Sequence, residues 1–215
     1  MISKIRICLL LVLATFAAQA QEAITILERR EIALDPVPAS SGYELRLTLA
    51  YLEGTGWTPE TIVGAAKENA RILEQCGVAL KAAELVRIGA PARFRDFLTL
   101  LSRELAAALQ LGKPTIYFVA GTRQRPAFDA EAIGRGNSRT RPELADSVWI
   151  TRGTRDLGIA LAHELAHVLM DSGEHSDVIG NLMRDGTAPN NTQITEAQCA
   201  RLRDTGMANG LLRPR

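Results

Sequence analysis

The segment HELAHVLMDSGEH, His163 to His175, carries the residue types that hold and use a metal ion. Residues four apart on a helix lie one turn apart on one face, so His163 and His167 can offer two imidazoles to one cation. Glu164 is turned about 100° from His163. It can reach a water on that cation without ligating the metal, which is the logic of H-E-x-x-H zinc hydrolases. A catalytic zinc site takes three protein ligands and keeps one position for water. The chain has three histidines, and the third, His175, follows His167 by eight residues. Asp171-Ser172-Gly173 reads as a helix end, and Gly173 would let the chain turn and bring His175 back to the metal. Asp171, Glu174 and Asp177 are the nearest substitutes for that third ligand. The competing reading is a surface helix with two incidental histidines. Ile159, Leu161, Ala162, Leu165, Ala166, Val168 and Leu169 argue against it, because they make the helix apolar nearly all round and so buried. Buried imidazoles need partners, and a cation is one. The expected chemistry is one Zn2+ ion, a bound water whose pKa falls toward about 7, and Glu164 as the general base.

Something must position these groups. Tyr43 to Ala50 alternates apolar and polar residues and predicts a half-buried strand. Thr58-Pro59 opens a helix that carries Ile62, Ala66, Ala70 and Leu73, with Gly77 as its stop. Val78 to Ile88 reads as a strand. Phe94, Phe97, Leu98, Leu101, Leu105, Ala108 and Leu109 predict a second helix, ended by Gly112 and Pro114. Thr115 to Val119 reads as a central strand, Phe128 to Ile133 as a short edge strand, and Ser147 to Thr151 as the last strand. Arg135 to Glu143 reads as a loop; its Arg135, Arg139 and Arg141 are expected to be solvated, and would favour acidic substrates if they met one. The metal-binding helix is expected from about Thr154 to Met170. A final helix from about Thr195 to Asp204 has Thr195 and Gln198 spaced for a capping box. This order predicts a mixed α/β layer arrangement.

The His163 to His175 segment resembles the metzincin family of zinc peptidases, whose motif is H-E-x-x-H-x-x-G-x-x-H followed by a tight turn bearing a methionine. Asn181-Leu182-Met183 looks like that turn. The resemblance implies that Met183 floors the metal site. It also implies a mostly parallel, twisted sheet with an antiparallel edge strand that binds extended substrate, packed on the active-site helix and a C-terminal helix. Phe128 to Ile133 falls where that edge strand would. The motif glycine would lie at Met170 and the third histidine at Gly173, so this chain carries two extra residues in the turn. Asp185 stands where a tyrosine would follow Met183 by two residues.

The rest of the chain sets the context. With 215 residues, 47% hydrophobic and 23% charged, it predicts one soluble globular domain. A net charge of +1 with interspersed signs gives no footprint for nucleic acid. Residues 1–20 show a basic start, an apolar run and Ala18-Gln19-Ala20, the pattern of a secretory signal peptide. The expected layout is therefore a signal peptide at 1–20, an N-terminal arm at 21–41 and one catalytic domain at 42–215. After cleavage Cys76 and Cys199 remain, an even pair that suggests a disulfide in an oxidising compartment. The function expected is a periplasmic or extracellular, monomeric zinc endopeptidase acting on peptides or proteins, with no lasting membrane association. A zinc amidase or esterase, or a non-catalytic binding protein on the same scaffold, would share much of this pattern.

Overall fold

The computed structural model describes residues 23–34 and 42–215; the signal-peptide reading lies outside them. The chain runs β1 (Thr25–Ala33), β2 (Tyr43–Leu45), β3 (Leu47–Leu52), α1 (Pro59–Leu73), β4 (Val78–Ala79), β5 (Ala82–Gly89), β6 (Asp96–Phe97) and α2 (Thr99–Leu109). It continues through β7 (Thr115–Phe118), β8 (Gly121–Thr122), β9 (Ala130–Ile133), β10 (Ser147–Ile150), α3 (Leu157–Met170), α4 (Glu196–Ala208) and β11 (Leu212–Pro214).

The main sheet has the order β1-β5-β3-β7-β10-β9. Its four inner strands are parallel, and β1 and β9 close the two edges antiparallel. This is the mixed, mostly parallel α/β architecture the sequence predicts, with a second antiparallel edge supplied by β1. Alternate residues of the inner strands face two separate cores. Leu49, Leu85, Ile116, Val148 and Ile150 pack with α1 and α3. Ala50, Val86, Tyr117 and Trp149 pack with α2 through Leu105 and Leu109. Both faces are thus covered, as parallel strands require.

That covering corrects the half-buried strand expected at Tyr43 to Ala50. The segment divides at exposed Arg46: β2 joins β4 and β11 in a small sheet, and β3 is buried along its whole length. The strand expected over Val78 to Ile88 divides in the same way, into β4 and β5. The second helix also starts later than its apolar spacing suggests. Asp96-Phe97 pairs with Gly121-Thr122 as a short parallel ladder, and Leu98 is extended at the helix start. Phe94 and Phe97 still enter the core, from a turn and a strand.

Two caps are as expected. Thr58 accepts from Thr61 N–H ahead of Pro59, and Thr195 and Gln198 form a reciprocal capping box on α4. The last helix continues to Ala208, and Gly206 within it admits Leu212, whose side chain comes within 2.8 Å of where a β-carbon would sit. Cys76 and Cys199 form a disulfide that ties the turn after α1 to α4.

Candidate metal centre

All of α3 except Leu157 and Glu164 is buried, so its position is set by apolar packing on β9, β10 and α1. The helix begins at Leu157 rather than Thr154. Thr154 instead bonds through its hydroxyl to the Asp129 carbonyl just before β9, which fixes the helix entry against the edge strand.

His163 and His167 are 4% and 7% exposed. His175 is more open to solvent. The three rings converge: His167 Nε2 lies 3.0 Å from His163 Nε2 and 3.3 Å from His175 Nε2. Candidate ligand atoms of all three fall within 4.8 Å of one another, and no carboxylate joins the group among the described residues. The alternative ligands are engaged or turned away. Asp171 Oδ1 accepts from Gly136 N–H at 2.7 Å, Glu174 pairs with Arg201 at 2.6 Å, and Asp177 is exposed.

The outer nitrogens show what the inner ones can do. His163 Nδ1–H donates to the Leu182 carbonyl at 2.7 Å, and His167 Nδ1–H donates to the Ser172 carbonyl at 2.6 Å. Each bond fixes a tautomer and leaves an Nε2 lone pair facing inward, as metal-ligating histidines require. Burial pushes His163 below the ordinary imidazole range and His167 down to about 4, and the neighbouring imidazoles add to the effect. Neutral rings with lone pairs only 3 Å apart are a donor set that fits a small divalent cation.

Glu164 lines the same cleft as Glu131 and Ala132 of the edge strand. Its carboxyl is raised to about 7, first by burial and then by the charge of Glu131, against the lowering effect of the nearby Ala132 N–H. Met183 is buried in the α1–α3 core; its N–H donates to Asn181 Oδ1 at 2.9 Å, and its carbonyl accepts from Ser176 N–H at 2.8 Å.

The turn after α3 departs from the sequence reading. Asp171, at φ 45°, makes the left-handed step that was expected of Gly173, and Gly173 does not have a positive φ. Aspartate tolerates this conformation better than most side chains. Here its carboxylate also bonds to Gly136.

The cluster opens into a cleft of about 560 Å³ between β9 and the loop after α3. Asp129, Glu131 and Asp185 line it together with Arg155. Arg135 and Arg141 do not: Arg135 pairs with Asp146 at 3.1 Å, and Arg141 Nε bonds to the Asn137 carbonyl at 3.4 Å. The Leu182 and Ser172 carbonyls leave no trace in the sequence, because main-chain groups carry no residue identity.

No protein-family profile and no curated protein matches this sequence. Solved structures do match its fold. Metalloproteinase-II from Bacteroides fragilis superposes with a TM-score of 0.58 at 17% identity, over 82% of this chain and 57% of that one. The chain therefore spans little more than half the length of that protein. Archaemetzincin from Methanopyrus kandleri superposes with a TM-score of 0.51 at 13% identity, over 79% of this chain and 98% of that one. The fold is metzincin-like.

Proposed function

We propose that this protein is an exported zinc-dependent endopeptidase, with residues 1–20 as signal peptide, an N-terminal arm at 21–41 whose β1 joins the main sheet, and the rest of the catalytic domain at 42–215. The observation that carries this reading is the convergence of three imidazoles beside a half-buried carboxylate, in a fold shared with a metalloproteinase and an archaemetzincin. His163, His167 and His175 are the proposed ligands, and Met183 floors the site. A zinc ion held there would supply Lewis acidity toward a water and a carbonyl oxygen.

The remaining work falls to the chain itself. Glu164 accepts a proton from the attacking water and passes it to the leaving amine. Among the described residues no strand pairs with the outer edge of β9, so an extended peptide can add there through main-chain bonds, with its scissile carbonyl toward the histidines. The cleft's Asp129, Glu131 and Asp185 favour peptides with cationic residues near the cut. Export agrees with the disulfide, and no described helix is long and apolar enough to cross a membrane.

Digestion of casein and of a small-amide panel, with and without chelator, tests this reading. Chelator-sensitive proteolysis that is absent in Glu164→Gln is expected. Cleavage of small amides alone would make the protein an amidase, and no turnover by metal-loaded protein would leave a binding role.

A further inference from the structure

The turn Asn181–Met183 holds two of the three histidines through its main chain. The Leu182 carbonyl accepts from His163 Nδ1–H at 2.7 Å. The next carbonyl, that of Met183, accepts from Ser176 N–H at 2.8 Å, directly after His175. A small rotation of these peptide groups would therefore swing one ring and displace the segment that carries another. The turn is not part of a regular ladder. Leu182 N–H bonds to the Gln193 carbonyl at 2.7 Å, and Asn181 and Gln193 form an isolated bridge.

What fixes the turn is a side-chain pair. Asn181 is 2% exposed. Its Nδ2–H donates to Gln198 Oε1 at 2.9 Å, and its Oδ1 accepts from Gln198 Nε2–H at 3.0 Å and from Met183 N–H at 2.9 Å. Gln198 Oε1 also accepts from Thr195 N–H at 2.9 Å. The residue that caps α4 thus grips the turn that aims His163. Cys199, its neighbour, anchors the same end of α4 through the disulfide to Cys76.

We propose that Asn181 and Gln198 are positioning residues for the metal centre: their paired amides set the Leu182 and Met183 carbonyls that orient His163 and place His175. This rests on the three histidines being the metal ligands. Each side chain donates through its amide nitrogen and accepts through its amide oxygen at once, which neither a carboxylate nor an apolar side chain can do. Outer partners of metal ligands commonly alter affinity by about 10- to 100-fold, and this pair governs two such partners.

The test is Zn2+ affinity by chelator competition, with the visible spectrum of the Co2+ form and the melting temperature of the metal-free protein measured alongside. Asn181→Ala is expected to raise the dissociation constant at least about tenfold and to shift the Co2+ bands. Gln198→Glu keeps an acceptor for Thr195 N–H and so keeps the α4 cap. It sets two acceptor oxygens against each other at Asn181, and it is expected to weaken binding in the same direction. Both measurements are made well below the metal-free melting temperature, so a loss of stability alone does not move them. Dissociation constants within about twofold of wild type, with unchanged Co2+ bands, would overturn the proposal. If Asn181→Ala does not fold, Gln198→Glu decides alone. Wild-type protein that binds no metal would instead overturn the ligand assignment beneath it.

Discussion

Two buried imidazole nitrogens 3.0 Å apart, each with its outer N–H already committed to a carbonyl, repel through their lone pairs unless a cation lies between them. With Glu164 as the proposed base, its replacement separates binding from chemistry. Glu164→Gln should retain stoichiometric metal and the wild-type melting temperature while turnover falls by about 10²-fold or more, read by peptide hydrolysis. The turn that returns His175 gives a second contrast. Gly173 has open space around the position of a β-carbon and no positive φ, so Gly173→Ala should leave the melting temperature unchanged. Asp171→Ala places alanine in the left-handed region and removes the bond to Gly136. It should destabilise by roughly 1–3 kcal/mol in denaturant titrations. The reverse ranking would show that the glycine makes the turn.

Among the elements, α3 was legible in the sequence because one segment carries both its apolar packing surface and its chemistry. The caps at Thr58 and Thr195 were legible because capping is local. Other boundaries were not. Arg46 is where one run of alternating residues leaves a small sheet for the centre of a large one, and alternation cannot say which sheet a residue joins. Phe94 and Phe97 have helical spacing with Leu101 and Leu105, yet a two-residue ladder with Gly121-Thr122 claims that stretch. Such pairing is set by distant residues, beyond the reach of a local pattern. The Cys76–Cys199 bridge spans 123 residues and joins the turn after α1 to the start of α4. In the chain-entropy picture a loop of this length stabilises by about 4–5 kcal/mol. Cys76→Ser/Cys199→Ser should therefore lower the melting temperature substantially under non-reducing conditions. An unchanged midpoint would show that the bridge contributes little to the fold.

At the scale of the whole molecule, a parallel core covered on both faces leaves the β9 edge and the mouth of α3 as the place where backbone groups and the histidine cluster meet one cleft. The arginines of the loop stay outside that cleft, Arg135 paired with Asp146, while Asp129, Glu131 and Asp185 line the opening with Arg155. Peptides with Lys or Arg near the cut should be cleaved with a higher kcat/KM than their Glu counterparts. The gap should narrow as salt rises and shrink in Asp185→Asn; equal rates for both peptide sets would remove the charge argument. Beneath all of this stands the proposal that His163, His167 and His175 hold one ion. X-ray absorption at the zinc edge, on protein reconstituted with one equivalent of Zn2+, tests it most directly. Three imidazole nitrogens at about 2.0–2.1 Å are expected in the wild type, and two in His175→Ala. A zinc environment unchanged by that substitution, or no zinc retained by the wild type, would contradict it.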